Sequence, residues 1–219
     1  SWMWWGSPAA VDPYFKRMAA QGQTFFVASG DQGTWAPWYD PWPADDAFVV
    51  SVGGTDLVTA GAGGRWVSET AWTGSGGGVS PSDTPIPAWQ KAQGVVTAAN
   101  KGSKKSRNGP DVSANANFTF YTCANQTACQ ANAYGGTSFA APMWAAFTAL
   151  INQQRTQRGA SKVGFINPKI YTNNVTSRYA TGFHDIQRGK AGDNLALKGY
   201  DLATGWGSPK PQLITELAP

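Results

Sequence analysis

The sequence predicts an α/β fold in which a mostly parallel sheet is flanked by helices. Two kinds of segment carry that expectation: short apolar runs, at residues 24–28 and 48–52, and helix-spaced patterns, at residues 8–21 and 138–155. Strands that alternate with helices pair in parallel, because each return passes through a crossover helix. A single domain accommodates all of them, since no internal repeat or linker divides the 219 residues.

In the first segment Val11, Phe15, Met18 and Ala19 recur at helical spacing, and Gly22 follows as a helix-ending glycine. The run at 24–28 reads as a buried strand. The run at 48–52 reads as a second, with Gly53-Gly54-Thr55 as the loop after it. Residues 118–121 alternate like a half-buried strand. The longest helical pattern places Met143, Phe147, Leu150 and Ile151 on one stripe. In open parallel sheets ligand sites gather at the carboxyl ends of the strands. Three polar or glycine-rich segments therefore become candidate site loops: Ser29-Gly30-Asp31-Gln32-Gly33, Gly53-Gly54-Thr55 and Gly135-Gly136-Thr137-Ser138.

Composition excludes several classes. With 42% hydrophobic and 14% charged residues the chain can bury a core, and no stretch approaches the roughly 20 apolar residues of a membrane helix. The net charge of +4 has one dense basic run, residues 101–107, which reads as a solvated loop rather than a nucleic-acid surface. Cys123 and Cys129 lie close together with no second pair or His nearby, so a small disulfide is expected and a zinc site is not. That disulfide, the 26 Gly and 11 Trp, and sequons at Asn117, Asn125 and Asn174 all fit a secretory route.

Gly135-Gly136-Thr137-Ser138-Phe139-Ala140-Ala141-Pro142 places a serine where a glycine-rich loop enters a helix. The helix N-terminus favours developing negative charge, and Pro142 is expected in or near the first turn, where a missing N–H costs least. An isolated Ser138 would read as an N-cap. The sole histidine, His184, comes after Ser138 and adjoins an acidic site, whereas the subtilisins that this serine segment resembles place both Asp and His before the serine, so it is not expected to be the base. Asp31, in a turn after the first strand, reads on its own as a turn aspartate capping its backbone.

The complete Gly-Thr-Ser-x-x-x-Pro string resembles the nucleophile segment of subtilisins and sedolisins. Asp31, standing where subtilisins present an asparagine, resembles the sedolisin pattern. So do Ser51-Val52-Gly53-Gly54-Thr55, Ser75-Gly76-Gly77-Gly78-Val79-Ser80, Pro87-x-Trp89-Gln90, Pro110-Asp111-Val112-Ser113 and Gly164-Phe165-x-Asn167-Pro168. The chain is thus similar to the C-terminal half of the catalytic domain of sedolisin serine-carboxyl peptidases, a subtilisin-like partial domain spanning 1–219. The resemblance implies Ser138 as nucleophile and Asp31 as oxyanion donor at acid pH. It implies substrate contacts at Ser1, Trp2, Ser75, Gly76, Gly77, Gly136 and Thr137, although the family's usual glycine after the opening pair is Met3 here. It also implies one Ca²⁺ in loops at 183–209, held by the Asp185 and Asp201 side chains and the carbonyls of Ile186, Leu197 and Gly199.

The same resemblance calls for a Glu and an Asp one helical turn apart as base and orienter. Neither is expected within this chain, whose only glutamates are Glu69 and Glu216, while Asp12 lies on the helix after the opening strand. An N-terminal portion of the same enzyme is the implied partner, alongside a peptide or protein substrate, with secretion into an acidic setting or a lysosome-like compartment. Two rivals stay open: a subtilisin-type protease with its His on another segment, and a non-catalytic calcium-dependent binding protein. The latter would use Trp2, Trp4, Trp5, Trp35, Trp38 and Trp42 as a stacking platform.

Overall fold

The computed structural model describes residues 7–124 and 128–218. The expectations for Ser1, Trp2, Met3, Trp4, Trp5 and the Asn125 sequon fall outside the described residues. In chain order the elements are α1 (Pro8–Ala20), β1 (Phe26–Ala28), β2 (Val50–Thr59), β3 (Trp66–Ala71), β4 (Gly78–Val79), β5 (Asn108–Gly109) and β6 (Val112–Asn115). There follow β7 (Tyr121–Ala124), β8 (Ala128–Ala131), α2 (Thr137–Gln157), α3 (Asn167–Asn174) and α4 (Tyr179–Gly182). The chain ends through β9 (Phe183–His184), β10 (Lys190–Ala191), β11 (Asn194–Leu195), β12 (Ser208–Pro209) and α5 (Gln212–Glu216).

Helix α1 starts with Pro8, whose fixed φ suits a first helical position, and stops at Gly22 with φ +74°. There the Gly22 N–H donates to Ala19 O and the Gln23 N–H to Met18 O, satisfying carbonyls that the helix end leaves open. The main sheet is built on β2. Its first half pairs in parallel with β1 (Val27 opposite Ser51) and with β6 (Gly53 opposite Ser113), and its outer half runs antiparallel to β3.

Alternation along the strands splits the core between two faces. Val50, Val52, Val112 and Ala114 pack with Ala140, Ala141, Trp144 and Ile151 of α2. Val27 and Val49 pack with Phe15 of α1 and with Trp35, Tyr39 and Trp42.

Several expectations are corrected by packing. Gly53 and Gly54 are not a loop; they lie inside β2, where a Cβ on Gly53 would stand 2.7 Å from Pro110 and one on Gly54 2.6 Å from the Ala116 side chain. They are close-approach glycines, not turn glycines. Residues 118–120 are not a strand: Tyr121 opens β7 in a surface hairpin, and the sheet strand is the neighbouring Val112–Asn115. The buried stripe of α2 is Ala140, Ala141, Trp144, Thr148, Ile151 and Arg155, so Met143 and Leu150 are exposed. Trp144 wins the inner position because its ring fills the core while its Nε1–H donates to Ser113 O at 2.8 Å.

The basic run is solvated only in part. Lys104 and Lys105 are exposed, but Arg107 is wholly buried, its Nη2 2.6 Å from Asp111 Oδ2. Asp111 also accepts from the Ser51 N–H, Asn167 Nδ2 and the Tyr171 hydroxyl, while Gln90 bridges Asn108 and Tyr171. Burial opposes the Arg107 charge, and the Asp111 carboxylate and Tyr171 outweigh it, so the guanidinium pKa is raised. Ser51, Gln90, Asp111 and Asn167, drawn from four separate motifs, therefore meet in one buried polar knot. Trp35 and Trp42 are core residues, leaving Trp38 alone of the described three exposed, so no tryptophan platform forms from them. Asn174 is buried at the end of α3, which removes it as a surface sequon in the folded chain.

Candidate active site

Two loops meet at the carboxyl edge of the parallel strands. One leaves β1 through Ser29, Gly30 and Asp31. The other leads from the end of β6 toward α2 and is tied back where the Gly136 N–H donates to Ala116 O at 2.6 Å. Their junction is Thr137: its N–H and its hydroxyl both donate to Asp31 Oδ1, at 2.8 and 2.7 Å, and its Oγ1 accepts from the Gly30 N–H at 3.2 Å. Thr137 is fully buried whereas Asp31 is exposed. Ser138, half-buried, follows directly in the first turn of α2.

Gly136 is required here. Its φ is +103°, and a Cβ would lie 2.5 Å from Asp31 Oδ2. Pro142 sits beyond the first four helical residues, a correction to its expected place, and its missing N–H is the one that would reach back to the Ser138 carbonyl.

The Asp31 loop is held from behind. Trp35 donates from Nε1 to Ser29 O at 2.9 Å and from its backbone N–H to Gly77 O at 2.8 Å, and the Gly76 N–H donates to Gly30 O at 2.7 Å. A Cβ on Gly76 would collide with Ser29 O, so glycine is what permits this stacking. Ser75, Gly76 and Gly77 are buried, and the Ser75 hydroxyl accepts from the Gly54 N–H at 2.8 Å. Gly136 and Thr137 thus stand in the site, with Ser75, Gly76 and Gly77 behind the Asp31 loop. Sequence reasoning missed Tyr39, whose hydroxyl lies against Gly30. Burial first and the Asp31 charge second push its pKa up. The only sequence signal was its aromatic neighbourhood, which does not single it out.

His184 is on β9, its ring stacked on Trp66 at 4.3 Å, and burial followed by Lys210 lowers its pKa to about 4. Beside it the tail loops fold onto two carboxylates. Asp185 Oδ1 accepts from the Tyr179 hydroxyl at 2.8 Å and from the Gly199 N–H at 3.0 Å. Asp201, fully buried, accepts from the Leu197, Ala203 and Thr204 N–H groups at 2.8 to 2.9 Å, and burial pushes its pKa up to about 7. Among the described residues no group of three or more His, Cys, Asp or Glu gathers, so a cation here would draw on carbonyl oxygens as well. The carbonyls of Ile186, Leu197 and Gly199 accept no hydrogen bond from the described residues. Cys123 and Cys129 form the expected disulfide.

Across residues 2–207 the chain matches the Subtilase family. It is 34% identical to kumamolisin of Bacillus sp. (strain MN-32), over 94% of this chain and 40% of that protein. It is 28% identical to tripeptidyl-peptidase 1 of Bos taurus, over 94% of this chain and 39% of that protein. Among solved structures, Pseudomonas sedolisin, described as a serine-carboxyl proteinase, superposes with a TM-score of 0.75 at 30% identity, covering 96% of this chain and 58% of that one. Sphericase, at 16% identity and a TM-score of 0.61, shares the fold. The chain spans about two fifths of the length of the curated relatives it matches. Among the described residues no helix is long and apolar enough to cross a membrane.

Proposed function

Because the chain belongs to the subtilase family, in its sedolisin branch and over the C-terminal part of those enzymes, we propose that the protein carrying it hydrolyses peptide bonds in acid. Ser138 Oγ forms a bond to the substrate carbonyl carbon, its proton passing to a base. The C–N bond then breaks as the amine takes that proton, and water releases the acyl group. The base is a Glu/Asp pair supplied by a segment N-terminal to this chain, which forms the C-terminal part of the catalytic domain. Secretion, or delivery to an acidic compartment, fits the disulfide.

The observation that carries this reading is the Asp31–Thr137 junction. Both Thr137 donors point at Oδ1, which leaves Oδ2 as the oxygen that can hold a proton. A carboxylate only accepts, whereas the protonated acid donates, and beside Ser138 it donates to the oxyanion that forms there. Acid pH is then a requirement of the oxyanion hole. Asp31→Ala, tested in the full-length enzyme, is expected to lower turnover by about 10² or more, the scale for losing an oxyanion donor. Turnover equal to the parent at acid pH removes Asp31 from the mechanism.

The tail loops fit a hard cation. Asp185 and Asp201 with the carbonyls of Ile186, Leu197 and Gly199 offer five oxygen donors, and the buried Asp201 carboxyl has only neutral partners. These residues would hold one Ca²⁺, which would supply the opposite charge that burial otherwise denies Asp201.

A further inference from the structure

Next to the serine loop stands a hairpin outside the machinery described so far. Strands β7 and β8 are antiparallel with Cys123 opposite Cys129, and the disulfide joins them at that rung. The hairpin grows out of the same backbone as the nucleophile. Ala116, which ends the approach from β6, accepts the Gly136 N–H, and the Asn132 N–H donates back to Phe120 O at 2.9 Å.

Aromatic rings line its exposed surface. A Cβ on Gly135 would lie 2.8 Å from Cδ2 of Phe118, so that ring rests on the backbone three residues before Ser138. Phe120 stacks on Phe139, the residue after Ser138, with centroids 4.7 Å apart and an interplanar angle of 27°. The outward area remains large: Tyr121 is 73% exposed, Phe118 48% and Tyr134 41%. Singly exposed aromatics need no account, but a cluster on one short element does. The surface is also uncharged, since no Asp, Glu, Lys or Arg occurs between Asp111 and Arg155.

We propose that this hairpin is a specificity-determining wall that accepts a bulky apolar side chain of the peptide substrate next to the scissile bond; the proposal rests on the hydrolytic reading above. The occupant follows from continuity. A peptide whose carbonyl sits at Ser138 carries its neighbouring side chains within a few ångströms of that carbonyl, and Phe118 and Phe120 are packed on the residues flanking the serine. Rings fixed by stacking present contact area at little conformational cost, and the disulfide holds the element that bears them. The absence of charge favours aliphatic and aromatic side chains over acidic or basic ones.

The test uses the full-length enzyme and peptide pairs that differ at one residue, Phe or Ala, placed in turn on each side of the scissile bond. At one of those positions the parent should prefer Phe. Phe118→Ala should remove roughly tenfold or more of kcat/KM for the Phe peptide, mainly through KM, and leave its Ala counterpart unchanged. Phe118→Trp should restore the preference. Because Phe118 is 48% exposed, a folding defect does not stand in the way. Equal effects on both peptides, or none, overturn the proposal. Should the parent cleave no peptide, the hydrolytic reading fails on its own. Binding of the Phe peptide to Ser138→Ala, with and without Phe118→Ala, then decides this one, and equal affinities overturn it.

Discussion

Replacing Gly136 by Ala should separate the geometry of the oxyanion loop from its stability. Two penalties arise together. The backbone φ of +103° is rarely adopted by side-chain-bearing residues, at a cost of about 1–3 kcal/mol. The new methyl also lies 2.5 Å from Asp31 Oδ2, and ordinary contact begins at 3.4 Å, so the carboxyl must retreat by about 0.9 Å. The bonds from Thr137 to Oδ1, at 2.7 and 2.8 Å, cannot both survive that movement. Misplacement of this size costs about 10²-fold in rate when the group acts in the transition state. Gly159→Ala is the control: its φ is +72°, but a Cβ there meets nothing within 4 Å. Both variants should melt earlier than the parent, and only Gly136→Ala should lose turnover at acid pH. If Gly136→Ala turned over peptide like the parent while matching the control in melting temperature, the Asp31–Thr137 junction would have no part in catalysis.

Three further outcomes follow from the charges. Arg107→Ala leaves Asp111 buried without its cation and should lower stability by about 3–5 kcal/mol in urea unfolding, so a loss under about 1 kcal/mol would show that water replaces the pair. Asp46 has its pKa pushed from 3.8 up to about 7, by burial first and in part by Asp12 beside it. The folded state therefore holds this proton more tightly than the unfolded chain, and the contribution is complete below pH 3.8 and lost as the pH rises to about 7. Asp46→Asn should flatten the melting-temperature profile over that window, and an unaltered slope assigns the dependence elsewhere. Chelation at neutral pH should lower the melting temperature, and Asp201→Ala should abolish the response to added Ca²⁺; melting curves indifferent to both exclude the proposed cation site.

Local signals were legible wherever a single element decides its own form. Gly22 ends α1 because no other residue type takes φ +74° so readily, and that is visible in sequence. Ser138 stands at a helix start for the same local reason. What was not legible depends on packing between distant segments. Gly53 and Gly54 look like a turn until Pro110 and Ala116 are seen pressing on them from β6 and its loop. The buried face of α2 carries Trp144, bonded to the Ser113 carbonyl, together with Thr148 and Arg155, whereas the stripe of Met143, Phe147 and Leu150 looks the more apolar in sequence. Arg107 reads as one more basic loop residue because its partner Asp111 is separated from it by non-helical chain, and the ring of Tyr171 that completes the knot lies far along the sequence.

The same contrast explains why the site can be both exposed and ordered. Asp31 itself faces solvent, where a carboxyl keeps access to protons, yet every group that orients it is buried: Thr137 beside it, Trp35 behind the Ser29 carbonyl, and Gly76 against Gly30. Ordering a flexible side chain at the moment of reaction would add to the barrier, whereas here the loop is fixed during folding. Beneath the loops, Pro110 rests on Gly53, and Asp111 bonds the Ser51 N–H, so β2 and β6 are held in register directly under the junction. The buried Arg107–Asp111 pair belongs to that brace: Asp111 ties the start of β6 to Ser51 of β2 and to Asn167 at the start of α3.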